Sequence, residues 1–145
     1  ELIVRGICCL KVGIPGISEN IHVRSIVGNF LEHSRIFFFL NDGEEELYMG
    51  SADWMPRNLD RRVEILFPVL DDTLKEKVKH ILDVELADNT KAHVLKPDGE
   101  YEKIDRRGKV LVNSQKQFCE EAVAAVPKTD HVYRERVFVP AEPAE

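Results

Sequence analysis

The chain has 145 residues, 43% hydrophobic and 32% charged, a composition typical of one globular domain and unlike that of disordered, collagen-like or coiled-coil proteins. Acidic residues outnumber basic ones by 26 to 20, and the net charge of -6 argues against general binding to nucleic acids or anionic membranes. No apolar run approaches the roughly 20 residues that cross a bilayer. The sequence starts at Glu1, without an initiator Met or a signal-peptide pattern, so we expect a piece of a longer chain.

The first part of the chain predicts a strand, a loop and a helix. Residues 2–10 are apolar apart from Arg5, Gly6 and the weakly polar cysteines, which predicts a buried strand in which the charge of Arg5 needs a partner or a ligand. Two glycines and a proline at residues 13–16 indicate a turn, and residues 18–20 offer side-chain caps. A helix should follow, because apolar residues recur at helical spacing: Val23, Ile26, Val27, Phe30 and Leu31.

The middle of the chain predicts a hairpin, a further strand and a second helix. The apolar run 36–40 precedes the turn-forming residues 41–43 and a second apolar run, 47–49, which is typical of two antiparallel strands. Residues 63–69 predict another strand, ended by a proline. Residues 71–73 can cap a helix whose apolar residues follow helical spacing: Leu74, Val78, Ile81 and Leu82.

The last part of the chain predicts two short strands, a helix and a tail. The strands are expected at residues 91–95 and 100–104, on either side of a Pro-Asp-Gly turn. Ser114 and Gln117 match a capping box and predict a helix that stops at Pro127. Residues 127–145 are expected to be a variable tail, which leaves 1–126 as the domain. Strands interleaved with helices predict an α/β fold with a mixed sheet flanked by helices.

The cysteines and histidines do not indicate a metal site. Cys8, Cys9 and Cys119 have neither zinc nor disulfide spacing, and we expect reduced, buried thiols. No pair among the five histidines has the spacing of a metal-binding helix motif. His33 stands out because Glu32-His33-Ser34-Arg35 lies between the predicted helix and the strand at residue 36. In α/β sheets, ligands commonly bind beside strand ends.

A histidine beside an arginine suits phosphoryl transfer or phosphodiester cleavage. Histidine can accept a phosphoryl group or act as an acid or base, and Arg35 can neutralise phosphate charge. The alternative for His33 is a histidine at a helix C-terminus, stabilised by the helix dipole. Among the first 70 residues the basic side chains are six arginines and one lysine, which favours a site for phosphate or carboxylate groups about as much as ordinary surface salt bridges.

A second group of candidate residues follows the predicted strand at 47–49. Residues 50–58 combine small side chains, which let a ligand approach the backbone, with Arg57 and with Asp53, which can orient a histidine or an arginine. Arg62 and Glu64 start the next strand and fall on one face of it. A structural salt bridge between Arg62 and a nearby acid is the competing interpretation.

Several motifs in consecutive order resemble the C-terminal region of the long-chain, histidine-phosphorylated polyphosphate kinases. The resemblance covers residues 1 to about 110, and the order of the motifs makes it more specific than any one of them. The motifs are Arg5-Gly6-Ile7-Cys8-Cys9-Leu10, Ser18-Glu19-Asn20-Ile21, Ser25-Ile26-Val27, Phe30-Leu31-Glu32-His33-Ser34-Arg35, Ser51-Ala52-Asp53-Trp54-Met55-Pro56-Arg57-Asn58 and Arg62-Val63-Glu64.

This resemblance implies an enzyme that moves the terminal phosphate of ATP onto polyphosphate, reversibly, through a phosphohistidine. It implies that the chain is the second of two phospholipase D-like halves and that the phosphorylated histidine belongs to the first half. His33 matches a second histidine expected to face ATP, and Arg5 and Arg62 match arginines expected to hold the nucleotide phosphates. Residues that fit the motifs with less defined roles are Arg35, Asp53, Arg57 and Glu64.

The resemblance also implies cofactors and partners. Mg²⁺ is expected with the nucleotide, with its ligands outside this chain. The expected ligands are ATP or ADP and inorganic polyphosphate, and the expected partners are the remaining domains of the same kinase. The full-length protein is expected to be a cytoplasmic homo-oligomer, with membrane association left open, and the isolated chain to be inactive.

Two other functions stay open at this stage. A phospholipase D motif reads H-x-K-x4-D, whereas this chain has Arg35 at the lysine position and Leu40 at the aspartate position, which disfavours a phosphodiesterase. The isolated chain can also be a binding module, since half of a site can bind polyphosphate without turning it over.

Overall fold

The computed structural model describes residues 1–126. They form seven short strands, arranged in two small sheets, and three α-helices. The predicted tail and the predicted helix stop at Pro127 lie outside the described residues. In chain order the elements are β1 (Leu2–Ile3), β2 (Val23–Ile26), β3 (Ile36–Phe39), β4 (Glu46–Gly50), α1 (Pro56–Arg61), β5 (Leu66–Pro68), α2 (Asp72–Ala87), β6 (Ala92–Leu95), β7 (Tyr101–Lys103) and α3 (Ser114–Ala125).

The strands divide into a four-stranded sheet and a three-stranded sheet. The first has the order β1-β2-β6-β7, with β1 parallel to β2 and the other neighbours antiparallel. The second has the order β3-β4-β5 and is antiparallel throughout. The predicted α/β class with a mixed sheet is therefore confirmed, with the strands shared between two sheets.

The helix predicted over residues 23–31 is wrong. Residues 23–26 form β2, whose Arg24 pairs with Ile3 on one side and with Val94 on the other, and the chain is irregular from residue 27 to 35. Apolar spacing alone did not distinguish the two structures, whereas pairing with strands on both sides favours the extended form. Phe30 and Leu31, which should have faced the core, are about 60% exposed.

The long buried strand predicted at the N-terminus is also wrong. Of the predicted strand at residues 2–10, only residues 2 and 3 pair with another strand among the described residues. Ile7 is 94% exposed. Residues 18–20 form a turn instead of capping a helix, because the Ser18 hydroxyl donates to the Lys11 carbonyl and accepts from the Ile14 amide. The expectation of buried thiols fails for Cys9 and Cys119, which are exposed and reduced.

The predicted hairpins and the predicted helix after Asp71 are confirmed. β3 and β4 pair in antiparallel register across residues 41–43, and β6 and β7 do so across the Pro-Asp-Gly turn. The Asp71 carboxylate caps α2 by accepting from the Leu74 amide. α3 also forms, although its cap is Asn113, which accepts from the Lys116 amide, and not the predicted Ser114.

Two apolar clusters hold the sheets, and one buried aspartate links the helices to them. One cluster contains Val12, Val23 and Leu95, and the other contains Leu47, Val69 and Val78, through which α2 packs on the three-stranded sheet. At the end of α2, the buried Asp88 carboxylate accepts hydrogen bonds from the backbone of residues 90–92 and from Ser114 at the start of α3. This contact fixes α3 beside α2 and β6.

Candidate functional site

His33 lies in the irregular segment that joins the two sheets, residues 27–35. Its side chain is exposed, and the structure gives its ring no hydrogen-bond partner among residues 1–126. The dipole-stabilised alternative is wrong, because a strand and not a helix precedes His33. The imidazole is therefore accessible to a ligand or to another part of a longer protein.

Arg35 is held by Asp53, and it fixes the backbone at His33. Its Nε and Nη2 atoms lie 2.9 and 2.8 Å from one carboxylate oxygen of Asp53, in the loop that follows β4. Its Nη1 atom donates to the His33 carbonyl oxygen at 3.0 Å. The structure thus brings together three residues chosen from the sequence, and Asp53 orients an arginine and not a histidine.

Glu64 accepts hydrogen bonds from two side chains of the preceding loop and helix. Ser51 donates to one carboxylate oxygen at 2.5 Å, and Asn58 on α1 donates to the other at 2.9 Å. The hydrogen bond from Ser51 and then that from Asn58 lower the pKa of Glu64, so the group is a carboxylate at neutral pH. Ser51, which binds Glu64, precedes Asp53 by two residues in the loop after β4, so this loop contacts Glu64 and also supplies Asp53.

Arg62 makes a long ion pair with Glu64 and is largely exposed to solvent. Its Nε atom lies 3.7 Å from Glu64 Oε1, and the side chain is 56% exposed. The competing interpretation, a salt bridge to a nearby acid, is therefore present in the structure. A long and solvent-exposed ion pair of this kind leaves the guanidinium able to exchange its carboxylate partner for a phosphate.

Arg5 and Arg57 lie apart from this cluster. Arg5 follows β1 and donates from Nη1 to the Ile26 carbonyl oxygen at 3.5 Å, at the end of the strand from which the His33 segment leaves. Arg57 lies on α1 and is exposed. Within residues 1–126 no hydrogen bond joins His33 to Arg5 or Arg62.

An apolar groove of about 1060 Å³ runs beside the cluster. The Phe37 and Trp54 rings stack with their centroids 5.8 Å apart and form part of its wall. Glu64 lines the same groove. Trp54 follows Asp53 directly in sequence, so the loop after β4 supplies both the charged cluster and part of the apolar wall.

Ser51 and Asn58 are site residues to which the sequence assigned no role. Both lie in the motif at residues 50–58. Nothing in the sequence indicates that they share Glu64 as a partner, 13 residues after Ser51 and 6 residues after Asn58. Asn58 is 2% exposed, and burial is the property that marks it as a structural support for Glu64. Because burial is seen only in the structure, the sequence carried no signal for the role of Asn58.

The described residues offer no resident metal site. No group of three or more histidine, cysteine, aspartate or glutamate side chains is arranged to hold a metal ion within residues 1–126. The described residues therefore do not form a magnesium site by themselves. Among residues 1–126, no helix combines the length and apolar character needed to cross a bilayer.

Comparison with known proteins identifies the family. The family model for polyphosphate kinase C-terminal domain 2 matches residues 1–115. The chain belongs to this polyphosphate kinase family. It is 51% identical over 131 residues to the polyphosphate kinase of Lactiplantibacillus plantarum and 54% identical over 127 residues to that of Pseudomonas aeruginosa, covering 90% and 87% of this chain.

The chain spans 18% of the length of both relatives. A solved structure of polyphosphate kinase from Porphyromonas gingivalis matches with a TM-score of 0.78 and 41% identity, over 84% of this chain and 19% of that one. This match agrees with the mixed α/β architecture and with the phospholipase D-like half that the motifs imply. The resemblance read from the motifs is confirmed.

Proposed function

We propose that this chain supplies half of the ATP and polyphosphate site of a polyphosphate kinase. The full-length protein would transfer the terminal phosphate of ATP to polyphosphate, reversibly, through a phosphohistidine on another catalytic domain. The observation that carries the proposal is the family match over residues 1–115, which includes His33, Arg5 and Arg62 in their motifs. The expected homo-oligomer, the cytoplasmic location and the boundary at residue 126 stay predictions.

The geometry supports distinct roles for the site residues. His33 is exposed and has no internal partner among residues 1–126, so it can donate a hydrogen bond or a proton to a phosphate that is being transferred. Arg62 presents an exposed guanidinium for the nucleotide phosphates, and Arg5 does so near the end of β2. Arg35, held by Asp53, supports the backbone at His33, and Glu64 lies beside Arg62.

Phosphoryl transfer requires mainly positioning and charge stabilisation, which this arrangement can provide. In the proposed reaction the bond between the γ-phosphorus and the bridging oxygen of ATP breaks, and the phosphorus forms a bond to the histidine nitrogen of the other domain. ADP leaves with the bridging oxygen, whose negative charge Arg5 and Arg62 stabilise. Mg²⁺ is proposed to arrive with the nucleotide and to be held outside this chain.

The test is His33→Ala in the full-length protein, compared with His80→Ala. His80 is an exposed histidine on α2 that contacts Glu121, far in sequence from the motifs. Removing an acid-base group at the reacting centre costs roughly 10²- to 10⁴-fold in rate, so polyphosphate synthesis from ATP should fall by this factor in His33→Ala alone. Equal synthesis by both variants would refute the role of His33.

A phosphodiesterase is the alternative function, which an assay with a model phosphodiester can reveal. Arg35 is committed to Asp53 and to the His33 carbonyl, so it does not take the position of a lysine that binds a phosphodiester freely. Release of product from a model phosphodiester, together with no ATP-dependent polymer, would favour that alternative over the kinase.

A further inference from the structure

The segment that carries His33 has no strand or helix of its own. Residues 27–34 belong to no strand pair, and Arg35 extends the β3–β4 pairing by one bond, in which its carbonyl oxygen accepts from the Gly50 amide at 3.0 Å. The direction of the His33 side chain therefore depends on side chains from other elements that contact this segment. Within the segment, Arg35 also contributes, since its side chain binds the His33 carbonyl oxygen and is itself held by Asp53.

Gln115 in the first turn of α3 binds the same segment from the other side. Its Oε1 atom accepts from the Phe30 amide at 3.0 Å, and its Nε2 atom donates to the Phe30 carbonyl oxygen at 2.8 Å. One side chain thus satisfies both backbone groups of a residue 85 positions away. The same Nε2 atom lies 2.6 Å from Oε1 of Glu32, the residue immediately before His33.

The close approach of Gln115 requires glycine at residue 28. A β-carbon at that position would overlap the Gln115 side chain, and Gly28 has an ordinary negative backbone φ. The glycine is therefore needed for space and not for a left-handed turn. Gln115 is 6% exposed, so its amide is a buried, fully committed group rather than a surface contact.

Glu85 on α2 is a buried acid, at 6% exposure. Burial, followed by a hydrogen bond with Glu32, raises the pKa of Glu85 to about 8, so its carboxyl group keeps its proton at neutral pH. The geometric contact that holds Glu32 is the hydrogen bond from Gln115.

We infer that Gln115 is a positioning residue for His33, because it fixes Phe30 and Glu32 and with them the orientation of the imidazole. This inference rests on the proposed function, in which His33 faces the transferred phosphate. The Gln115 side chain is buried and does not itself meet the phosphate. It acts through the backbone of residues 28–33, in the way that the supporting groups of an active site hold a catalytic side chain.

The test compares Gln115→Glu with Gln117→Glu in the full-length protein. Gln115→Glu keeps the shape, removes the donor to Phe30 and places a second carboxylate against Glu32, whereas Gln117 is on the same helix and contacts only Glu121 among its described hydrogen bonds. A displacement of about 1 Å at a reacting group can cost about 10²-fold. We expect kcat to fall between about 10- and 100-fold in Gln115→Glu, with KM for ATP changed by less than about threefold.

Two further readouts separate positioning from loss of the fold. Hydrogen exchange of the amides of residues 28–33 should accelerate in Gln115→Glu and not in Gln117→Glu, while the amides of β3 and β4 stay protected. Adding Glu32→Gln to Gln115→Glu restores a donor between residues 32 and 115 and should recover part of kcat, whereas the Phe30 carbonyl oxygen still lacks its donor.

The outcomes distinguish this inference from the proposed function. If the unmodified protein makes no polyphosphate from ATP, the proposed function fails. If it does, but Gln115→Glu and Gln117→Glu have equal kcat values and equal exchange at residues 28–33, the positioning role is refuted. A fall in kcat that Glu32→Gln does not recover, accompanied by faster exchange throughout the chain, would also overturn it by showing general destabilisation.

Discussion

The two parts of the candidate site are fixed in different ways. Around Arg35, Asp53 and Glu64, the partners lie 6 to 18 residues apart in sequence and sit on the three-stranded sheet and the loop that follows β4. The His33 segment, in contrast, is held by Gln115, which lies 85 residues from Phe30. The charged cluster is thus built locally, whereas the orientation of His33 depends on how α3 docks against the segment.

A loss of activity of about tenfold or more is expected from weakening the contact between the two parts. Arg35→Lys in the full-length protein keeps a positive charge but cannot hold Asp53 with two nitrogens and reach the His33 carbonyl oxygen with a third. We expect kcat for polyphosphate synthesis to fall by about tenfold or more. The matched control is Arg107→Lys, at an exposed arginine that pairs with Asp105. Equal rates would show that the cluster and His33 are independent.

A smaller effect is expected in the pH dependence of stability. The pKa of Glu85 is raised from 4.5 to about 8, so between these values the folded chain keeps a proton that the unfolded chain has released. The stabilising effect of this proton is complete below about pH 4.5. As the pH rises from there toward 8, the free energy of unfolding falls by on the order of 1 kcal/mol per pH unit at most. The melting temperature of the chain should fall accordingly.

Glu85→Gln should remove this slope. Because its amide carries no titratable proton, the variant should melt at a higher temperature than the unmodified chain at pH 8 and at a similar temperature at pH 5. Glu76→Gln, at an exposed position on α2, provides the control and should leave the slope unchanged. A slope that persists in Glu85→Gln would place the titrating group elsewhere.

The smallest effect is expected in ligand binding by the isolated chain. We expect weak polyphosphate binding that decreases with salt, because an anion bound by a few arginines is screened by added ions. Arg5→Ala and Arg62→Ala should each weaken binding by roughly three- to tenfold, and Arg107→Ala should not. Titration calorimetry at low salt checks this, and no binding at low salt would count against a preformed anion site.

Sequence reasoning found the locally determined features. The hairpin at residues 36–49 and the capped helix after Asp71 have turn and capping residues next to the elements they define, and both predictions are confirmed. His33, Arg35 and Asp53 were selected from neighbouring motifs, and the structure joins them by hydrogen bonds. A role for each of them in catalysis stays a prediction.

Features that depend on distant parts of the chain were not predicted. Residues 23–31 fit a helical pattern, and only the pairing of β2 with β1 and β6 makes residues 23–26 a strand. Gln115 looked like an ordinary polar residue of an amphipathic helix, because nothing near it in sequence shows that it becomes buried against the His33 segment. Such contacts follow from packing, which the sequence pattern does not display.

The most direct measurement replaces the matching region of the Pseudomonas aeruginosa polyphosphate kinase with this chain. The two share 54% identity over 127 residues, so the chimera preserves the contacts of the fold at most positions. We predict that the chimera synthesises polyphosphate from ATP and that His33→Ala in the same chimera lowers synthesis by roughly 10²-fold or more, with an unchanged melting temperature. A folded chimera without synthesis, or equal synthesis with and without His33, would contradict the proposal that this chain completes the site of a polyphosphate kinase.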